Sequence, residues 1–521
     1  MSTYAALGLT GMVWGPTKDT RRRYVPEWPT LRVNAGWLLG LMDKYEITRL
    51  HIHASALGVL GLPAALEPPQ PGQRRPPHEW LDTTWRGYRP SSKALAPFIQ
   101  CGDLELQIGA YQDGAGDPFA GARDALELLE ALQAFERAVE LNGKPWAYRH
   151  SAILTGWQLM HQAAKGKRTA GLEAFSDTRQ PELTGLDPGQ QVEKPYGGRW
   201  TRAKDHSAGL PYVHAWDING QRLAACSRLP LGVGGLTHAR ATNGVKLNVK
   251  RDLPGYHLVT EVENPHEGAI PPIFEPGWHT TPRVNMAIYL GIPLTITESW
   301  TWSEHRPYLN GFYDVMSKAR TELIDAAATP DGAPARLALN ALKQAYLQPL
   351  GRLRSEQTRR TNSIYYRPHW YDSVIGAELA RQYLRMHQLA EIKAPVMAVY
   401  FDTIIIESDR PQPDDDATLG VLEVSTQLGK YKPVGTLPAD QARTILYDGP
   451  RGTNVGALVK ALKNHHGGEN AAGVTAPNTP AASARPPQPG DISSELLELA
   501  GELMLLAGEL MTLDSDERQE R

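Results

Sequence analysis

Residues Val399 to Asp409 read VYFDTIIIESD. Two strand-forming apolar runs, Val396 to Phe401 and Ile404 to Ile406, are interrupted by Asp402-Thr403, where a tight turn is expected. The fold hangs on how Asp402 is read. Aspartate is a common turn residue because its side chain bonds its own backbone, and on this stretch alone the turn reading is the stronger. A carboxylate at a strand tip is equally a ligand for a cation.

A second isolated acid has the same setting. In HAWDINGQRLAA, residues Tyr212 to Trp216 favour a strand, and Asp217 closes it ahead of Asn219 and Gly220. Two carboxylates on neighbouring strand tips could share divalent ions about 4 Å apart, the arrangement that two-metal phosphoryl transfer requires. Mg²⁺ suits such a site because it needs only one or two protein carboxylates besides phosphates and water.

Working outward from this pair, five segments in order resemble the family-B DNA polymerases, closest to their protein-primed, phage and mobile-element branch. HAWDINGQRLAA resembles the first palm motif and lands on Asp217. LKQAYLQPLGRL resembles the fingers motif, with Lys343 and Gly351 keeping its eight-residue interval. YRPHWYDSVIGAELARQYLRM resembles the helix that follows, with Arg381 at the matching place. VYFDTI resembles the Tyr-x-Asp-Thr-Asp motif through Tyr400, Asp402 and Thr403. TTPRVNMAIYLGIPLTITESWTW resembles the segment between the first two motifs, and LGKYKPVG the start of the thumb.

The resemblance covers Pro211 to Lys432. It implies an α/β fold with a polymerase-like palm sheet carrying fingers and thumb insertions. It implies Asp217 and Asp402 as catalytic and Mg²⁺-binding residues, Lys343 at the nucleotide triphosphate, and template-directed deoxynucleotidyl transfer in replication of a plasmid, phage or chromosome end. Departures are equally specific. Ile404 stands where active members carry the metal-bridging second Asp. Arg222 stands where a Tyr packs under the nucleotide sugar, and Leu347 and Leu350 replace the Asn and Tyr of the fingers motif. An isoleucine offers no ligand. Its presence favours an alternative, a non-catalytic DNA-binding relative. Glu407 and Asp409 lie too far along the strand, at roughly 3.3 Å per residue, to substitute without a rearranged turn.

Composition bounds the rest. The 521 residues suffice for two or three domains, and 54 Lys plus Arg against 57 Asp plus Glu leave a net charge of -3, so any DNA surface is a local patch. Cys101 and Cys226 are too few for a disulfide framework, and no apolar run reaches the roughly 20 residues of a membrane span. A cytoplasmic protein is expected. Gly-rich LGVGGLTHA lacks the spacing of a dinucleotide loop, and His51 and His53 read as strand residues.

Residues 1 to 164 read as an N-terminal α/β domain in the place of the family's exonuclease. The first strand offers no Asp-x-Glu pair, so an exonuclease-like domain is expected to be inactive. Asp117 and Pro118 are expected to open a helix whose stripe is Ala125, Leu128, Leu129, Leu132, Phe135 and Val139, with Asp113 and Asp117 serving turn and cap rather than metal. Residues 165 to 206 are expected to be a basic linker, 207 to 465 the polymerase-like region, 466 to 490 a disordered tether and 491 to 521 a C-terminal amphipathic helix and tail. Arg199, Arg202 and Lys204, with Arg352, Arg354, Arg359 and Arg360, are the candidate DNA contacts. Leu499, Leu503, Leu506, Leu510 and Leu513 alternate by four and three, and residues 496 to 513 are the candidate surface for a protein partner or self-association.

Overall fold

In the computed structural model, residues 4–15, 21–27, 34–66, 76–81, 98–111, 117–149, 151–165, 181–186, 190–193, 200–241, 253–355, 358–359, 365–413, 420–448 and 453–469 are described. The chain divides into two units, Met1–Gly473 and Val474–Arg521, and every described residue lies in the first. The leucine-rich segment and most of the expected tether are therefore outside the described residues.

The N-terminal sheet is built from β1 (Tyr4–Gly8), β2 (Gly11–Trp14), β3 (Arg22–Tyr24), β4 (Arg49–Ile52), β5 (Phe98–Cys101) and β6 (Leu104–Ile108), in the order β3-β2-β1-β4-β6-β5. β4 runs parallel to both β1 and β6, while the outer pairings are antiparallel. β1 and β4, at the centre of the sheet, are buried along their whole length, Arg49 and His51 of β4 included. One face packs on α1 (Ala35–Lys44), whose N-terminus is capped by Asn34 accepting from the Trp37 N–H. Neither β1 nor β2 carries a carboxylate.

The other face meets α2 (Ala125–Ala138). The expected cap at Asp117 is corrected here: residues 117–122 form turns, and Asp124 caps the helix by accepting from the Glu127 N–H at 2.9 Å. Pro118 marked a turn because the Asp117 carboxylate takes the Phe119 N–H at 2.9 Å, an alternative to starting a helix. The stripe itself is as expected, with all six residues buried. A minimal hairpin, β7 (Glu140–Leu141) and β8 (Lys144–Pro145), leads to α3 (Ala152–Lys165).

The expected boundary at 164 to 165 does not coincide with a break in the core. One apolar cluster joins α2 and α3 to α6 (Asn310–Ala327) and α7 (Ala333–Arg352). Gly156 makes this possible, because a Cβ there would lie 1.8 Å from the Ala345 carbonyl oxygen. The segment read as a linker is also partly structural: Glu193 is fully buried, and β9 (Trp200–Thr201) pairs with a strand of the central sheet.

That central sheet contains β10 (Tyr212–Ile218), β15 (Val396–Tyr400), β16 (Thr403–Ser408) and β17 (Tyr431–Pro438), ordered β17-β10-β16-β15-β9. Segment LGKYKPVG, which resembled the start of the thumb, thus supplies an edge strand of the same sheet. Alternation sorts the residues: Trp216, Ile218, Ile404 and Ile406 enter one cluster with α5 (Thr281–Tyr289) and α8 (Pro368–Glu391), whereas Val213, Ala215 and Ile405 enter another with α9 (Ala439–Tyr447) and α10 (Val455–Glu469). α10 continues to Glu469, so the first residues assigned to the tether are helical, propagated from the buried Val455, Leu458, Val459 and Leu462.

A third sheet, β11 (Leu231–Arg240), β12 (Gly255–Val262), β13 (Gly277–Thr280) and β14 (Leu294–Arg306), has the order β11-β14-β12-β13. Its buried polar core includes Glu193, which takes an ion pair from Arg283 at 2.9 Å and hydrogen bonds from Thr280. Burial alone would raise the Glu193 carboxyl, but Arg283, His279 and Thr280 outweigh it and hold it at about 2. No described helix is long and apolar enough to cross a membrane.

Candidate functional site

The turn reading of Asp402 holds, and the same turn places its carboxylate beside Asp217. β15 and β16 form a hairpin in which Tyr400 faces Thr403, leaving Phe401 and Asp402 as the turn. Phe401 adopts φ of 52°, a left-handed conformation costly for a bulky residue, and its carbonyl is held by the Gln382 side-chain amide of α8 at 2.7 Å. Turn and sheet together aim Asp402 at Asp217. Asp217 lies opposite Thr403 on the neighbouring strand, and the Ile218 N–H donates to the Asp402 carbonyl oxygen at 3.2 Å.

The two carboxyls lie within hydrogen-bonding reach, and Asp402 is raised to about 6, first by burial and then by the negative charge of Asp217. Two acids at one point titrate as a pair and resist carrying two charges. Part of the missing positive charge comes from Lys432 of β17, whose Nζ lies 2.8 Å from Asp217 Oδ2. Thr403 Oγ1 donates to Asp217 Oδ1 at 3.4 Å.

Around this pair opens a cavity of about 180 Å³, lined by Asp217, Ile218, Gly220, Gln221, Arg222, Lys343, Tyr346, Leu347, Glu378, Leu379, Gln382, Phe401, Asp402 and Lys432. Gly220 starts α4 (Gln221–Ala225) with φ of 52°, and a Cβ there would meet the Leu428 side chain at 2.4 Å. This glycine lets the chain turn from strand to helix beside Asp217. Lys343, on the exposed side of α7, reaches the same cavity from the helical layer.

Arg222 sits on the floor, bonded through Nε to Glu378 Oε1 at 2.9 Å. Burial works against both charges. Glu378 is raised by burial despite Arg222, while for Arg222 burial pulls down but Glu378 and Tyr371 together hold it raised. The position where the family packs a Tyr under the sugar is thus filled by a charge whose partner the sequence did not reveal.

The donor set fits one hard divalent cation. Asp217 and Asp402 offer carboxylate oxygens where Asp402 lacks neutralising charge, and Mg²⁺ takes such oxygens with water and phosphate completing its shell. The arrangement does not fit the two-carboxylate bridge of intact members, because Ile404 is fully buried among Trp216, Val399 and Ile406. Glu407 is no substitute either: its carboxylate binds Ser207 Oγ and the Ala208 N–H at 2.6 Å and Arg443 at 2.8 Å.

The basic clusters fare differently. Arg354 is corrected as a phosphate contact: it is largely buried and paired at 3.1 Å with Asp372, a core acid that burial raises to about 7 even though this cation works to lower it. Arg202 donates to the Ala269 carbonyl oxygen at 2.9 Å, and Lys204 to Asp448 at the surface. Arg352 and Arg359 are described but separate from the cavity lining, and Arg199 and Arg360 lie outside the described residues, as does Asp113. His51 is buried on β4, and His53 bonds Ser55 and the Ala122 carbonyl oxygen.

Sequence reasoning missed Glu378, Gln382 and Lys432. The only available signals were an acid set among small and apolar residues in GAELA, and a lysine two positions beyond Lys430.

No family model matches the sequence, and no curated protein does. Among solved structures the chain is similar to Phi29 DNA polymerase complexed with primer-template DNA, at 12% identity over 84% of this chain and 85% of that one, with a TM-score of 0.42. It is similar to the same polymerase with primer-template DNA and incoming nucleotide substrates, at 11% identity, 84% of each chain and a TM-score of 0.43. It is also similar to the complex with single-stranded DNA, at 11% identity, 84% and 85% coverage and a TM-score of 0.38. Values at this level carry no argument about chemistry, which rests on the cleft's own residues.

Proposed function

We propose that the cleft at Asp217 and Asp402 binds a deoxynucleoside triphosphate against a DNA end and transfers the nucleotide to a 3' or protein-borne hydroxyl: the hydroxyl oxygen bonds the α-phosphorus as the bond to the β-phosphate oxygen breaks, pyrophosphate leaves and the hydroxyl proton passes to water. One observation carries the reading: two strand-tip carboxylates 185 positions apart in the chain (402 minus 217) converge in one cavity with Lys343, Arg222 and Lys432. The ordered polymerase-like motifs from Pro211 to Lys432 supply the substrate class.

Asp217 and Asp402 would hold a Mg²⁺ ion, which when bound stabilises charge developing on the transferred phosphoryl group. Lys343 meets the triphosphate from the exposed side of the cavity. Arg222, fixed by Glu378, presents a planar cation at the floor, and Gln382 holds the hairpin tip so that Asp402 stays beside Asp217. With Ile404 supplying no ligand, turnover is slow. A missing metal-bridging carboxylate is worth about 3–5 kcal/mol, a factor of roughly 10² to 10⁴.

The second reading, a non-catalytic DNA-binding relative that recruits a partner through residues 496 to 513, draws support from Lys432. Its ammonium already supplies Asp217 with positive charge.

Primer extension with Mg²⁺ and then Mn²⁺, comparing wild type with D217A, decides between them. Metal-dependent extension lost in D217A is expected. Equal background in both leaves the second reading, which then requires DNA affinity that falls steeply with salt.

A further inference from the structure

We propose a second metal site, for a zinc-class ion, formed by His266, His387 and Glu391. It is independent of the proposed reaction, since Glu378 and His387 are nine residues apart on α8, about 13 Å along the helix axis.

Each of the three side chains offers one ligand atom, and these atoms all lie within 4.8 Å of one another. His266 Nε2 is 3.1 Å from His387 Nδ1 and 3.1 Å from Glu391 Oε1. The other ring nitrogen of His387, Nε2, is 3.9 Å from the same carboxylate oxygen. A tetrahedral Zn²⁺ with bonds of about 2.0–2.2 Å sets neighbouring ligand atoms about 3.3–3.5 Å apart. Side-chain rotations close that difference for a single His387 nitrogen.

The backbone holds the ligands in place. His387 and Glu391 stand four residues apart near the end of α8 and so share one face. His266 lies in the connection between β12 and β13. Its carbonyl takes the Ala269 and Ile270 N–H groups at 3.0 and 3.3 Å, and Arg202 bonds the Ala269 carbonyl oxygen. Ile270, Ile273 and Phe274 bury the same connection against the central sheet's core.

The donor chemistry selects the metal. Two imidazoles with one carboxylate suit Zn²⁺ and its first-row neighbours, whereas Mg²⁺ prefers oxygen throughout. Both histidines are mostly buried, while Glu391 is exposed, so three protein ligands leave one position on the solvent side. Bound there, the ion ties the β12–β13 connection to the end of α8.

The test is calorimetric titration of the full chain with ZnCl₂, alongside the visible d–d spectrum of the Co²⁺ form, for wild type, H266A, H387A and E391Q. Thermal unfolding is read with and without Zn²⁺. D217N serves as a control that leaves this cluster intact. One equivalent of zinc with tetrahedral Co²⁺ bands is expected in wild type and in D217N. Affinity should fall by at least about tenfold in each of the three cluster variants, since even partners outside the ligand shell cost that much. Because Glu391 is exposed, E391Q keeps the fold and tests the site without a folding defect. Absence of zinc binding in wild type, or affinity unchanged in any one cluster variant, overturns the site.

Discussion

Replacing Ile404 by Asp puts back the carboxylate that intact polymerases carry, and the structure forecasts damage rather than repair. Ile404 is fully buried, with Trp216 opposite on β10 and Val399 opposite on β15. Losing that burial costs about 2–3 kcal/mol. Burying a protonated carboxyl with no partner in the vacated space adds about 1–3 kcal/mol. The sum, about 3–6 kcal/mol, is a large share of the 5–15 kcal/mol that typically holds a protein together.

The pH dependence has a definite sign. The introduced carboxyl is held neutral in the core, so its folded pKa exceeds its unfolded value of about 3.9, and I404D loses further stability as pH rises above that value. Urea denaturation followed by tryptophan fluorescence, at pH 5 and pH 8, measures it. A lower midpoint is expected at both, with the larger deficit at pH 8. If I404D unfolds within about 1 kcal/mol of wild type, shows no greater loss at pH 8 and gains Mg²⁺-dependent extension, the placement of Ile404 away from the cleft is wrong.

Four further outcomes are expected. K432M should bind Mn²⁺ more tightly than wild type by a few-fold, since removing a half-exposed competing cation is worth about 1 kcal/mol or less; unchanged affinity by Mn²⁺ resonance would dismiss the competition. R354A should lower the denaturation midpoint by about 1–3 kcal/mol, because it removes the cation beside the buried Asp372, which then stays protonated and keeps its bond to Tyr256, yet leave the salt slope of DNA binding unaltered; a shallower slope would restore Arg354 to the DNA surface. Burial depresses His257 and His369 to about 3, so unfolding takes up two protons as pH falls from 6.5, while Asp372, raised to about 7, and Asp402, raised to about 6, oppose them with two. The four nearly cancel between about pH 6 and 4, so a variant with both H257Q and H369Q should gain stability relative to wild type as pH falls through that window, and a pH-independent difference in urea midpoint would contradict it. Glu193, held at about 2, keeps its contribution above pH 4.5 and loses it as pH falls toward 2, so E193Q should flatten that acid limb.

Much of the cleft was legible because it is local. Strand patterning around Asp217 and Asp402 placed both acids at strand ends, and the departure at Ile404 was visible as a residue type. Lys343 was legible from its interval to Gly351. Other features had no local signature. Arg354 read as a surface base because its partner lies 18 residues further on, inside α8. The Asp117 cap reading failed at short range, where two Asp residues competed and the turn captured the first.

What the sequence by itself determined is which positions are apolar, which strand tips carry acids, and that position 404 offers no metal ligand. Only the tertiary structure decided that Lys432 neutralises Asp217, that Glu378 anchors Arg222, and that His266 meets His387 and Glu391. Apolar periodicity and residue chemistry belong to single positions and their near neighbours, so they survive in one dimension. A charge's environment is the sum of groups brought near by chain segments up to a few hundred residues apart, and that sum does not exist until the sheet and helices have packed.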